Sequence, residues 1–271
     1  MSEPSGAQPA LRGEQALAAQ VGNRFSADWK NPDHRMRRLL SEFIGTFGLV
    51  FVLSSGAAIL ALYAGGEVAV WQTAFVLSAI SALWLVAAVN FLGDISAHFN
   101  PAMTFAFALR RDMGAVMAGV YIVVQLIAAA CGAFTARAFF GIEGNLAATQ
   151  PQPGMAWQAV GFEAILTFGM VLMVLSMANG PKLNGMFVPF AVGAYIMALG
   201  TMGGPYDGAA MNPARAFGPD IARGDLSTWW VYIIGPLVGA ALATIVARVL
   251  RGPAKAAEAQ AAMGTPLETS S

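Results

Sequence analysis

The sequence predicts an all-α membrane fold: six transmembrane helices plus two re-entrant half-helices, built as an inverted three-helix repeat. Composition, the lengths of the apolar stretches and an internal repeat each lead there. Of the 271 residues, 57% are hydrophobic and 11% are charged, and mean hydropathy is +0.60. A soluble domain carries about 25% charged residues, so this chain lacks the polar surface that water demands, and the lipid bilayer is its solvent. Formal net charge is zero, which gives no electrostatic footprint for a nucleic-acid partner.

Six apolar stretches, at about 39–63, 71–92, 115–140, 157–178, 184–203 and 228–250, are long enough to span. A hydrocarbon core of about 30 Å takes roughly 20 helical residues. Two shorter stretches, Pro101 to Leu109 and Pro213 to Ile221, cannot span. If they enter the membrane they must line something, because irregular backbone at that depth is tolerated only against protein or a water-filled cavity. In the last span, Gly235 and Gly239 make a small-xxx-small spacing that permits close helix approach.

The N-terminus begins polar, with no apolar run before about residue 39, and does not read as a signal peptide. Residues 1–36 are expected to be a cytoplasmic N-terminal segment, 37–251 the membrane-embedded domain, and 252–271 a disordered cytoplasmic tail. Arg35, Arg37, Arg38, Arg110, Arg111, Lys182, Arg248, Arg251 and Lys255 fall on one side of the spans. The opposite segments 64–70 and 141–155 carry no Lys or Arg. The positive-inside rule then puts both termini in the cytoplasm.

The repeat shows in Glu42-Phe43-Ile44-Gly45-Thr46-Phe47 and Glu163-Ala164-Ile165-Leu166-Thr167-Phe168, both Glu-x-x-x-Thr-Phe. Each is followed two helices later by Asn-Pro-Ala, at Asn100-Pro101-Ala102 and Asn212-Pro213-Ala214. The copies cover about 39–140 and 157–250. An odd number of spans per copy inverts the second, and inverted repeats build their site at the midplane from discontinuous helices. Asn followed by Pro is by itself a helix-start signal. Twice, at equivalent places, it brings two positive helix ends together at mid-membrane. Asn100 and Asn212 are then expected to point amide donors into a lumen, and the field opposes cations and protons.

Carboxylates at Glu42 and Glu163 are costly in a span; their expected partners are the unpaired N–H groups of the loops carrying the half-helices. A proton-relay role is the competing reading. Arg215, one turn into the second half-helix, avoids an unpaired charge in lipid by lining an aqueous constriction; a buried ion pair is the alternative. The single cysteine, Cys131, makes no intrachain disulfide, and His34 and His98 have no metal-ligand spacing.

The segments Ile95-Ser96-Ala97-His98-Phe99-Asn100-Pro101-Ala102 and Gly208-Ala209-Ala210-Met211-Asn212-Pro213-Ala214-Arg215-Ala216-Phe217-Gly218-Pro219 resemble the two pore loops of the major intrinsic proteins, the aquaporins and aquaglyceroporins. The resemblance covers about 37–251. It implies a homotetramer in the plasma (inner) membrane with one passive pore per subunit, no cofactor, and water and small neutral solutes as cargo. His98 resembles the family's loop histidine, a packing and hydrogen-bonding residue. An outer constriction is implied at Arg215, Ala209, Gly200 and a second-span position that is Ile80 or Ser81. Strict water channels usually carry His where Gly200 stands, so the opening is expected to be wide. Tyr232-Ile233 and the small filter residues resemble the nodulin-like channels, which pass metalloid acids and small polyols; Ala216 instead resembles water-type channels, where glycerol facilitators carry Asp. Glycerol, urea, arsenous acid and boric acid are the expected solutes beside water, with a water-selective pore as the alternative. A secondary transporter using Asp94 or Glu42, a membrane enzyme and a closed-pore family member are the more distant readings.

Overall fold

A computed structural model describes residues 32–178 and 187–253. The N-terminal segment up to residue 31, Lys182, the start of the fifth span at 184–186, and the tail from 254 including Lys255 lie outside the described residues. The described chain forms α1 (Pro32–Tyr63), α2 (Val70–Leu92), α3 (Pro101–Leu109), α4 (Ala115–Phe140), a turn at Glu143–Ala147, α5 (Ala156–Ala178), α6 (Val188–Asp207), α7 (Pro213–Arg223) and α8 (Val231–Arg251). Six of these helices are long and apolar enough to cross a membrane. The nine residues of α3 rise about 14 Å at 1.5 Å per residue, half of the roughly 30 Å hydrocarbon thickness.

Element boundaries differ from the sequence-based ones chiefly at the start of the first span, where the helix begins at Pro32 rather than at about 39, and at the end of the fifth. Its predicted end at 203 stops short of Gly204-Pro205, which reads as a breaker. The helix instead runs through Pro205 to Asp207 and ends at Gly208, whose φ of 94° suits glycine and whose N–H donates to Gly204 O. Proline inside a spanning helix is tolerated where neighbours cover the freed carbonyl.

Within the repeats α1 packs along α4 and α5 along α8, while α2 along α6 joins the two halves. Lipid gives little hydrophobic drive between helices, so close approach by small residues does the work. The buried seams are accordingly rich in alanine, with Ala102, Ala106, Ala128, Ala129, Ala133, Ala214, Ala240 and Ala243 inaccessible. A Cβ at Gly132 would lie 2.6 Å from Phe47 O, and one at Gly239 2.3 Å from Ala164 O. These glycines are where α4 and α8 touch the backbones of α1 and α5. Large apolar side chains such as Leu83, Val116, Ile165 and Ile245 are exposed, as a lipid-facing surface requires.

The inverted repeat extends beyond the motifs. Trp84 Nε1 on α2 donates to Gly45 O on α1 at 3.0 Å. Tyr195 Oη on α6 donates to Leu166 O on α5 at 2.9 Å. Gly45 and Leu166 each stand three residues after the repeat's glutamate. In both copies a glycine three residues further on, Gly48 or Gly169, makes room for the aromatic side chain. The half-helices cross over: α3 packs on α8, and α7 packs on α4.

Candidate functional site

The two half-helices meet tip to tip, and each tip is capped by its own asparagine. Asn100 Oδ1 accepts from Ala102 N at 2.9 Å. Asn212 Oδ1 accepts from Ala214 N at 3.0 Å and Arg215 N at 3.2 Å. Pro101 and Pro213 occupy the first helical turn, where no backbone donor is needed. The amide donors do more than face a lumen. Asn100 Nδ2 donates to Met211 O at 2.8 Å, and Asn212 Nδ2 donates to Phe99 O at 2.9 Å. Each amide thus commits one N–H to the opposite loop, out of the two that an asparagine side chain can donate.

The residues receiving those bonds are strained. Phe99 and Met211, each immediately before its asparagine, have φ of 49° and 51°. Left-handed backbone is uncommon for bulky residues and costs on the order of 1 kcal/mol or more. Both are clamped from the other side by the repeat's glutamate. Glu42 accepts from His98 N and Phe99 N at 2.8 Å each. Glu163 accepts from Ala210 N, and from Met211 N at 2.7 Å. Each strained peptide is therefore held at its N–H by a carboxylate of its own repeat and at its C=O by an asparagine of the other. The two sites differ around this shared plan. Glu42 also accepts from Ser96 Oγ at 2.7 Å and Gln125 Nε2 at 2.8 Å. Both glutamates are fully buried.

His98 lies beside this clamp. Its Nδ1 is 3.1 Å from Thr104 Oγ1, and its ring stacks on Phe107 at 4.6 Å between centroids.

A cavity of about 750 Å³ runs past both tips, lined among others by Asn100, Asn212, Arg215, Ala209, Gly200 and Ser81. Of the two second-span candidates, Ser81 lines this cavity and Ile80 does not. A Cβ at Gly56 would lie 2.6 Å from Ile80 Cδ1, so Ile80 packs on α1 instead. Gly200 is more than a missing side chain: a Cβ there would sit 2.5 Å from Ser78 Oγ. The glycine lets α6 lie against α2, and Ser78 occupies part of the space that its absent side chain frees.

Arg215 is aimed by a segment that sequence reasoning missed. Its Nη1 donates to Ala147 O at 2.9 Å, in the turn between α4 and α5. Ala147 and Ala148 also line the cavity. Nothing in hydrophobic periodicity marks 143–148 as a pore wall. The C-terminal ends of α4 and α7 are joined by Arg137 Nη1, which donates to Ala222 O. Among the described residues no three His, Cys, Asp or Glu side chains group to hold a metal ion. Cys131 is exposed and lies off the cavity lining.

The family model for the major intrinsic proteins matches residues 28–247. Nodulin-26 of Glycine max is 32% identical over 221 residues, covering 80% of this chain and 78% of its own. The probable aquaporin TIP3-2 of Arabidopsis thaliana is 37% identical over 238 residues, covering 80% and 84%. The X-ray structure of the aquaglyceroporin from Plasmodium falciparum superposes with a TM-score of 0.69 at 24% identity, covering 80% of this chain and 97% of that one, a likeness of fold. The chain belongs to the major intrinsic protein family. It is an integral membrane channel of the aquaporin type, not an enzyme.

Proposed function

We propose that the chain is a passive pore for water and small uncharged solutes (glycerol, urea, or metalloid acids such as arsenous and boric acid) that rejects ions and protons. The observation that carries this reading is the pair of capped helix tips facing one continuous cavity. Two positive helix ends with an amide donor at each favour a neutral hydrogen-bonding solute and oppose a cation. Arg215 adds a fixed positive charge at the outer constriction, beside Ala209, Gly200 and Ser81, none of which carries a ring. Glu42, Glu163 and His98 support the loops and take no part in conduction. Residues 37–251 form the channel domain. It assembles as a homotetramer in the plasma (inner) membrane, with both termini cytoplasmic as the arginine distribution favours.

A water-selective pore is the second reading, and Ser78 favours it by reaching into the space beside Gly200. Stopped-flow light scattering on proteoliposomes separates the two. Fast water flux together with glycerol, urea or boric acid flux above that of empty vesicles supports the wider pore. Fast water flux with none of these solutes passing overturns it in favour of the second reading.

A further inference from the structure

The turn between α4 and α5 is costly, and what holds it bears on Arg215. Gly144, Asn145, Leu146 and Ala147 have φ of 55°, 52°, 52° and 59°. Glycine and asparagine tolerate this region, but Leu146 and Ala147 do not, and a left-handed residue of their kind costs about 1–2 kcal/mol. Such a run persists only when its surroundings over-determine it. Leu146 is fully buried, packed with Val50, Ala129, Ala133 and Ala214. Gly144 lies against α1 so closely that a Cβ would be 2.3 Å from Ala57 O. Arg223 Nη1 donates to Asn145 Oδ1 at 2.8 Å. From inside the protein, Ser54 Oγ on α1 donates to Leu146 O at 2.9 Å. The next carbonyl along, Ala147 O, is the one that Arg215 binds.

Ser54 is fully buried, does not line the cavity and belongs to no motif. A buried serine in a helix ordinarily returns its hydroxyl to the carbonyl four residues back; this one reaches 92 positions along the chain instead. We propose that Ser54 is a positioning residue for the outer constriction: by fixing the Leu146 carbonyl it fixes the Ala147 carbonyl, and through it the Arg215 guanidinium. The inference rests on the reading that Arg215 limits which solutes pass. Without the Ser54 hydroxyl the turn relaxes toward right-handed backbone. The Ala147 carbonyl then withdraws, and Arg215 loses its anchor. Water, smaller than the constriction, is little affected. Larger solutes gain.

The test uses the full chain in proteoliposomes, with glycerol and urea as probes, and reads solute permeability relative to water. Ser54→Ala is expected to raise that ratio about threefold to tenfold, the range that one buried hydrogen bond commands. Ser54→Thr keeps the hydroxyl and is expected to keep the wild-type ratio. Should Ser54→Ala not insert, Ser54→Cys, similar in volume and a weak donor, is expected to shift the ratio in the same direction. In an Arg215→Ala background, Ser54→Ala is expected to change the ratio less than about twofold, because two residues acting through one contact are not additive. An effect that persists in that background shows general loosening and overturns the proposal. So does an unchanged ratio in Ser54→Ala where Arg215→Ala alone alters it, and the reading of Arg215 then survives. If Arg215→Ala itself leaves the ratio unchanged, that reading fails.

Discussion

At the scale of single residues, the chemistry of Glu42 and Glu163 is set by what surrounds them. Every hydrogen bond that these carboxylates make among the described residues comes from a donor. A carboxylate is acceptor-only when ionised, whereas glutamine turns one oxygen into an NH₂ group. Glu42→Gln and Glu163→Gln are therefore expected to be nearly as damaging as the alanine variants. Each orphaned buried N–H costs about 1–3 kcal/mol, enough to lower the unfolding temperature in detergent and reduce water flux. A wild-type melting profile for either glutamine variant would show that one oxygen is enough. Cys131 is exposed and off the cavity, so mercury is expected to leave water flux nearly unchanged. Ala209→Cys puts a thiol on the lining and is expected to create a block that a reducing thiol reverses. Strong block of the unaltered chain would instead place Cys131 on the path.

At the scale of elements, glycine positions decide how closely the helices pack. Gly132 and Gly239 abut partner backbones, while a Cβ at Gly119 meets nothing within 4 Å. Gly132→Val and Gly239→Val are expected to destabilise by about 1–3 kcal/mol through overpacking. Gly119→Ala is expected to be neutral or stabilising by up to about 1 kcal/mol from helix propensity. Thermal unfolding in detergent orders the three, and equal effects at Gly119 and Gly132 would contradict the packing account. The helices themselves were legible because apolar length alone reveals a span. The half-helices were legible because Asn-Pro marks a helix start and the stretches after it are too short to cross. The end of α6 was not, since Pro205 reads as a stop when the neighbours that accommodate it are unknown. Nor was the turn at Glu143–Ala147 legible: its role arises from contacts with Ser54, Ala57 and Arg215, which are distant in sequence. The choice between Ile80 and Ser81 likewise turned on which side of α2 meets α1, a fact of packing that spacing from Asn100 does not contain.

At the scale of the whole molecule, the inverted repeat makes each half depend on the other. The Phe99 carbonyl is held by Asn212 and the Met211 carbonyl by Asn100. Each tip is therefore expected to lose its geometry when the other is altered. Asn212→Ala is expected to leave the Phe99 carbonyl unpaired and to loosen the first tip as well as the second. Faster amide hydrogen exchange at both 98–102 and 210–214 would report it; exchange confined to 210–214 would show that the halves are independent. The central claim, that the paired tips make a passive pore closed to charge, is met most directly in one preparation. Proteoliposomes carrying the chain and an internal pH dye are subjected to an osmotic step across an imposed pH gradient. Water flux is expected to be well above that of empty vesicles and linear in the osmotic step, with the pH gradient decaying no faster than in empty vesicles. Collapse of the gradient, or flux that depends on it, would rule out a passive pore closed to charge and point to a coupled transporter.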